Sequence, residues 1–143
     1  MTRWLSDREL GISTARKEKV HRLDLPPEVA RHAHDYEPSP YGVLPDALLT
    51  IPLEPAETTF VDIGAGKGRV LTEALHHGFR RVVGLEASSR LAALAKENLQ
   101  KLPNAERAEI RVRPVSEVRP SGIRIHSASL RGVPDRARAF IRV

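Results

Sequence analysis

Residues Phe60 to Arg69 read Phe-Val-Asp-Ile-Gly-Ala-Gly-Lys-Gly-Arg, and Glu86 follows eighteen residues after Gly68, closing Val-Val-Gly-Leu-Glu. A glycine loop leaving a strand lets backbone N–H groups and a helix N-terminus approach a ligand that side chains would hold off. A carboxylate accepts two hydroxyl donors well. Loop and acid together suit a ligand that carries a ribose and a positive charge. The plainer alternatives are a tight turn at Gly64 and Gly66 and a solvated strand end at Glu86.

Two rival ligand classes fit less well. The dinucleotide fingerprint G-x-G-x-x-G, counted from Gly64, places Arg69 where the third glycine belongs. A phosphate loop, G-x-x-x-x-G-K-[ST], would need glycine at Val61 and a hydroxyl residue at Gly68. Metal is not expected, because His32, His34, His76 and His77 lack an acidic partner at the spacing of H-E-x-x-H. Lys67 is expected to be a solvated loop residue. Arg69 is open between pairing with Asp62 or Glu73 and facing water.

The elements that must position these residues alternate in type. Thr59 to Ile63 and Arg81 to Leu85 read as short apolar strands, and Glu109 to Val112 as a third. Arg69 to His77 places Val70, Leu71, Ala74 and Leu75 on one helical face, with Gly78 as its stop. Ser88 or Ser89 caps a second helix that Pro103 ends. Strands alternating with helices imply a parallel sheet. Upstream, Arg8 to Val20 is expected to form a surface helix and Pro27 to open a short one. Tyr36 to Tyr41 should be an ordered loop, and Val43 to Leu49 one or two helical turns. Downstream, Gly122 to His126 and Ala139 to Val143 read as short strands with no convincing helix between them.

Composition narrows the setting. The 143 residues argue for a single domain and contain no cysteine, so disulfides and thiolate metal sites are excluded. No apolar run approaches the roughly 18 residues of a membrane span, and the N-terminus lacks a signal-peptide core. A cytoplasmic location with no membrane partner is expected. The net charge of +5 comes from the last quarter: eight arginines and two acids after residue 110 give +6 there and leave −1 on the first 110 residues. With Phe140 as its lone aromatic, this tail offers little for base stacking, and a nucleic-acid partner is not expected.

The string Phe-Val-Asp-Ile-Gly-Ala-Gly-Lys-Gly-Arg-Val-Leu, with the Tyr36–Tyr41 segment before it and Glu86 after it, resembles the class I S-adenosylmethionine-dependent methyltransferases. The likeness is to a bacterial branch with a G-K-G-R loop and, more loosely, to lysine methyltransferases of that fold. It covers roughly residues 36–113. The resemblance implies an α/β, Rossmann-like sheet with helices on both faces, here incomplete with three clear strands. It divides the chain into an N-terminal extension (1–35), a cofactor-binding core (36–113) and an arginine-rich tail (114–143). It implies S-adenosylmethionine as cofactor. Gly64, Ala65, Gly66 and Gly68 would pack under the methionine part, and Asp62 would face its ammonium group. Glu86 would take the ribose hydroxyls, Leu85 and Ala87 would lie near the adenine, and Tyr41 would cover the methionine. The methyl acceptor and the oligomeric state stay open.

The chain also departs from that family. No Asn/Asp-Pro-Pro-aromatic or Asn-Pro-Phe string occurs, and Arg113-Pro114-Val115-Ser116-Glu117 stands where a Gly-Asp pair is expected. The family sheet has seven strands, with the fourth beside the first. A shifted reading frame or truncation from about residue 111 is therefore expected.

Overall fold

A computed structural model describes residues 5–114, 124–128 and 138–142. Strands β1 (Thr59–Ile63), β2 (Arg81–Glu86) and β3 (Ala108–Val112) form a parallel sheet in the order β1-β2-β3. The register pairs Asp62 with Gly84, Ile63 with Leu85 and Glu86 with Val112. Helix α4 (Arg69–His76) crosses from β1 to β2, and α5 (Ser89–Gln100) crosses from β2 to β3.

Both crossovers step the same way along the sheet. Right-handed connections then put both helices on one face. Phe60 and Val82 from that face share a core with Val70, Leu71, Ala74 and Leu75 of α4 and Leu99 of α5. Val61, Val83 and Leu85 form a smaller cluster on the other face, with Ile63 against it. The α/β architecture, a three-stranded parallel sheet with packed helices, is as expected, and these two crossover helices share one of its faces. Two further strands, β4 (Arg124–Ala128) and β5 (Arg138–Arg142), form an antiparallel pair. The backbone of β5 lies close to that of β1.

Local sequence accounts for these elements. Ser88 adopts an extended backbone and its hydroxyl accepts the Leu91 N–H at 3.1 Å, capping α5. Leu91, Ala92, Ala95, Asn98 and Leu99 are its buried residues, at the spacing of one helical face. Each buried leucine contributes about 1.5–3 kcal/mol. Helix α4 is buried over seven of its eight residues, Arg69 to Leu75, so it is covered on more than its sheet face. Part of that cover is α3 (Val43–Leu48), whose first N–H groups are held by the Glu73 carboxylate: Gly42 N–H at 2.7 Å and Leu44 N–H at 3.1 Å. Close packing of α4 on the sheet explains Gly84. A Cβ there would stand 2.6 Å from Leu71 Cδ1 and 2.7 Å from Ile110 Cδ1.

The N-terminal part differs from the sequence expectation. Helix α1 runs only from Asp7 to Leu10, opened by a Ser6/Glu9 capping box and ended by Gly11 at φ 68°. The chain then extends. Ile12 enters the main core, Glu18 and Tyr36 form a backbone bridge, and a short α2 (Pro27–Ala30) follows. Arg8 to Val20 fails as a helix because its polar residues find distant partners that a helix would deny them. The Asp7 carboxylate takes the Thr14 N–H at 2.5 Å and the Ala15 N–H at 2.9 Å, and Asn98 brackets the Ser13 backbone.

No helix among the described residues is long and apolar enough to cross a membrane. Most of the stretch between the last two strands, where no helix was expected, and Glu117 lie outside the described residues.

Candidate functional site

The carboxyl ends of β1 and β2 sit side by side, and the loop after β1 folds back onto the tip of β2. Gly64 N–H and Ala65 N–H both donate to the Leu85 carbonyl, at 2.8 and 3.1 Å. Gly66 N–H donates to Glu86 Oε2 at 2.8 Å, and Ser88 N–H donates to Glu86 Oε1 at 2.9 Å. Each Glu86 oxygen therefore holds one loop, and the side chain is only 7% exposed. An ionised carboxylate has about four acceptor positions. Two are used here, which leaves capacity for donors from a ligand. Glu86 is no solvated strand end.

The three loop glycines divide into an open part and a covered part. Gly64, at φ 77°, is exposed, and a Cβ built on it would meet nothing within 4 Å. Half-buried Ile63 and Ala87 flank it on the two strand tips. Gly66, at φ 56°, lies under Tyr36: a Cβ would come within 2.4 Å of the ring. Gly68, at φ 86°, faces Ala95 of α5 at 3.4 Å. All three positions need the left-handed backbone that favours glycine. At 66 and 68 the chain's own close approach adds a second reason. Ala65 is buried beside them, and Asp62 is buried on β1 with 2% exposure.

The basic residues of the loop were misjudged from sequence. Lys67 is 3% exposed, not solvated. Its Nζ donates to the Arg16 carbonyl at 2.7 Å and to Glu18 Oε1 at 2.9 Å, and stands 5.2 Å from the Tyr36 ring centre. The Lys67 hydrogen bond holds the Glu18 carboxyl below its ordinary range, against the upward push of burial. Arg69 is buried at 8% exposure, and the acid among its described contacts is Asp7, 3.8 Å from Nη2. Its Nε donates to Thr14 Oγ1 at 2.8 Å, its Nη1 donates to the Ser39 carbonyl at 2.9 Å, and its guanidinium stacks 4.2 Å above the Tyr41 ring. Both cations of the loop thus turn to the N-terminal segment.

Tyr41 is placed accordingly. Its hydroxyl donates to Asp7 and its ring carries Arg69, while Tyr36 is the tyrosine seated on the glycine loop. Burial first, and then the bond to Asp7, raise the Tyr41 hydroxyl above its ordinary value. The burial that would raise the Asp7 carboxyl is outweighed by bonds from Tyr41 and Thr14, which leave it lowered. Tyr36, Glu18 and Asn98 were missed as site-forming residues. Asn98 Nδ2 donates to the carbonyls of Lys67 at 3.0 Å and Ser13 at 3.1 Å, and its Oδ1 accepts the Ser13 N–H at 3.0 Å. One sequence signal was available for Asn98: a polar residue in the apolar phase of a helix.

The segment also reaches the start of α5. Asp24 accepts from the hydroxyls of Ser88, at 2.7 Å, and Ser89, and from the Arg90 N–H at 3.0 Å. These donors, Ser89 first, lower its carboxyl to about 2. An acid at a helix N-terminus is also favoured by the helix dipole. Among the described residues no three His, Cys, Asp or Glu side chains gather as a metal site.

Residues 61–123 match the family model described as a methyltransferase domain, somewhat under half of the chain. Methyltransferase domains of this kind draw their methyl group from S-adenosylmethionine, the cofactor that the match implies. The residues at the strand tips fit it: an exposed Gly64 with open space around it, beside a buried carboxylate with acceptor capacity left. No curated protein matches the chain. A solved structure from Listeria monocytogenes, described as a candidate S-adenosylmethionine-dependent methyltransferase, is similar at 22% identity with a TM-score of 0.41. That similarity covers 52% of this chain and 33% of the other, so the chain spans about a third of that protein's length. A score that low adds nothing about function.

Proposed function

We propose that this chain is the cofactor-binding part of an S-adenosylmethionine-dependent methyltransferase of the G-K-G-R loop type. The observation that carries the reading is the Glu86 carboxylate, buried at the β2 tip and bonded to the glycine loop beside the open Gly64. Glu86 would accept the ribose hydroxyls, and Gly64 and Ala65 would approach the methionine part. Asp62 would lie toward the ammonium group, and Leu85 and Ala87 would border the adenine. The cofactor supplies an activated methyl group on a sulfonium. The protein's share is to hold it in line with an acceptor and to exclude water. The acceptor is proposed to be a nitrogen nucleophile such as a protein lysine.

The tail belongs to the same proposal. The family match runs to residue 123, past the point near residue 111 where a departure was expected. A shifted reading frame or truncation is still proposed from about residue 111, and the longer match counts against so early a start. Translating the other two frames of the gene should reveal an Asn-Pro-Phe or Asn-Pro-Pro string. A gene without one in any frame removes the idea.

Calorimetric titration with S-adenosylmethionine and its demethylated product tests the function. Binding that ignores salt is expected. Glu86→Ala should weaken it about tenfold or more, because hydrogen bonds to a charged group contribute about 1.5–3 kcal/mol. Glu86 also holds two loops, so Glu86→Gln, which keeps the shape, should be titrated beside it. No heat with either compound, together with salt-sensitive RNA binding, would replace the methyltransferase reading with a basic nucleic-acid-binding one.

A further inference from the structure

A lysine next to a loop glycine commonly reads as an anion contact. Here the Lys67 side chain spends its described contacts on the N-terminal segment: the Arg16 carbonyl, the Glu18 carboxylate and the face of Tyr36. Glu18 is 7% exposed and works in two directions. Its side chain meets Lys67, while its backbone exchanges two hydrogen bonds with Tyr36, at 3.2 and 2.8 Å. Tyr36 in turn lays its ring on Gly66 and donates its hydroxyl to the Thr14 carbonyl at 3.0 Å. Gly66 N–H closes the circuit on Glu86. A continuous path of contacts therefore leads from Glu86, through Gly66 and Tyr36, to Glu18, and returns to the loop at Lys67.

We propose that Lys67 and Glu18 are positioning residues for the cofactor pocket: their buried ion pair seats residues 13–18 and the Tyr36 ring on the glycine loop, so that seating this segment and filling the pocket favour one another. The inference rests on the reading of the strand tips as an S-adenosylmethionine site. Its physical basis is linkage. A ligand that draws on Glu86 needs Gly66 in its present place, and Gly66 is held there from both sides. Whatever ordering the ion pair provides in advance need not be supplied at binding, and the coupling is reciprocal. A pair that served stability alone would change the melting temperature and leave ligand affinity untouched.

The full-length chain and S-adenosylhomocysteine, the demethylated cofactor, supply the test. Removing Lys67 alone leaves the buried Glu18 carboxylate with only the half-exposed Arg90, 3.7 Å away, whereas removing both leaves no buried charge from the pair. The double variant Glu18→Gln/Lys67→Met is therefore the main one, with Lys67→Met beside it. Two quantities are read: calorimetric affinity, and amide exchange of residues 13–19 with and without ligand. In the wild type, ligand should slow exchange in 13–19. The double variant should bind about tenfold more weakly and lose that ligand-linked protection while α5 stays protected. Lys67→Met should lose as much as the double, because the two residues act as a unit. Wild-type affinity in the double variant overturns the proposal. So does exchange in 13–19 that ignores the ligand in the wild type, a reading that needs no variant. If the wild type itself fails to bind, the cofactor reading falls and takes this one with it. If the wild type binds and the variants match it, only the positioning role falls.

Discussion

The strand-tip unit, residues 59–100, and the segment that covers it, residues 5–41, are held by different kinds of contact. In the first, apolar side chains at regular spacing meet across a sheet and two helices: Phe60 and Phe79 with ring centres 5.3 Å apart, and Val70, Leu71 and Leu99 in one core. In the second, few apolar residues are spent. Ile12 enters the core, and the remainder is fixed by Asp7, Asn98, Lys67 and Arg69 through bonds to particular backbone and side-chain atoms. A hydrophobic core tolerates exchange of one apolar residue for another of similar volume. A polar network does not, because each lost partner strands a buried group. The cover should therefore be the part more sensitive to single conservative changes.

Asn98→Leu is expected to break the contrast most. The volume is nearly kept, yet the Ser13 N–H and the carbonyls of Ser13 and Lys67 lose their partner. A loss of about 3 kcal/mol in urea unfolding is expected, at about 1–3 kcal/mol for each stranded group after partial rescue by water. A change below about 1 kcal/mol would mean that the segment is held by its few apolar contacts after all.

Next comes a pair of glycine substitutions. Gly66→Ala meets both a positive φ and the Tyr36 ring, whereas Gly64→Ala meets only the positive φ. About 1–2 kcal/mol is expected from the backbone in each case, with a further 1 kcal/mol or so at Gly66 for displacing the ring. Equal melting temperatures for the two variants would deny Tyr36 its seat.

A smaller effect is expected from Asp24→Ala, about 1 kcal/mol as for a lost helix cap. It should also depend on pH. The folded carboxyl lies at about 2, below its ordinary value of 3.8. Its contribution is thus complete above pH 4 and fades as pH falls toward 2. The stability difference between wild type and variant should vanish over that window. A difference independent of pH would assign the effect to the serine hydroxyls. Smallest of all is Lys17→Ala, which removes a pair with Glu37 whose side chains are 70% and 59% exposed. A change within about 0.5 kcal/mol is expected.

The legibility of the sequence follows the same division. Thr59–Ile63 was readable as a strand to the residue, and the boundaries of α4 and α5 nearly so, because periodicity, Gly78, Ser88 and Pro103 all mark them locally. The glycine loop and Glu86 were readable because their spacing is fixed by one crossover. The covering segment was not. Many of its contacts join residues far apart, as in Lys67 with Glu18, 49 positions away, and Asn98 with Ser13, 85 away, and a polar pair at that separation leaves no period to detect. Lys67 and Arg69 were misjudged for that reason. The different places of Tyr36 and Tyr41 were not legible either, since both lie in one short segment and separate only through distant partners.

The burial of Lys67 and Arg69 has a practical bearing on where this polypeptide can be cut. Composition invites a boundary near residue 36, ahead of the regular alternation of strands and helices. Scissors placed there would remove Thr14, Arg16 and Glu18, and with them the counter-ion and acceptors that two interior cations rely on. The trimmed piece would keep every strand and crossover helix yet inherit a pair of stranded positive charges beside its glycine turn. An expression boundary for the cofactor-binding unit belongs ahead of Ser6, not at the start of the recognisable pattern.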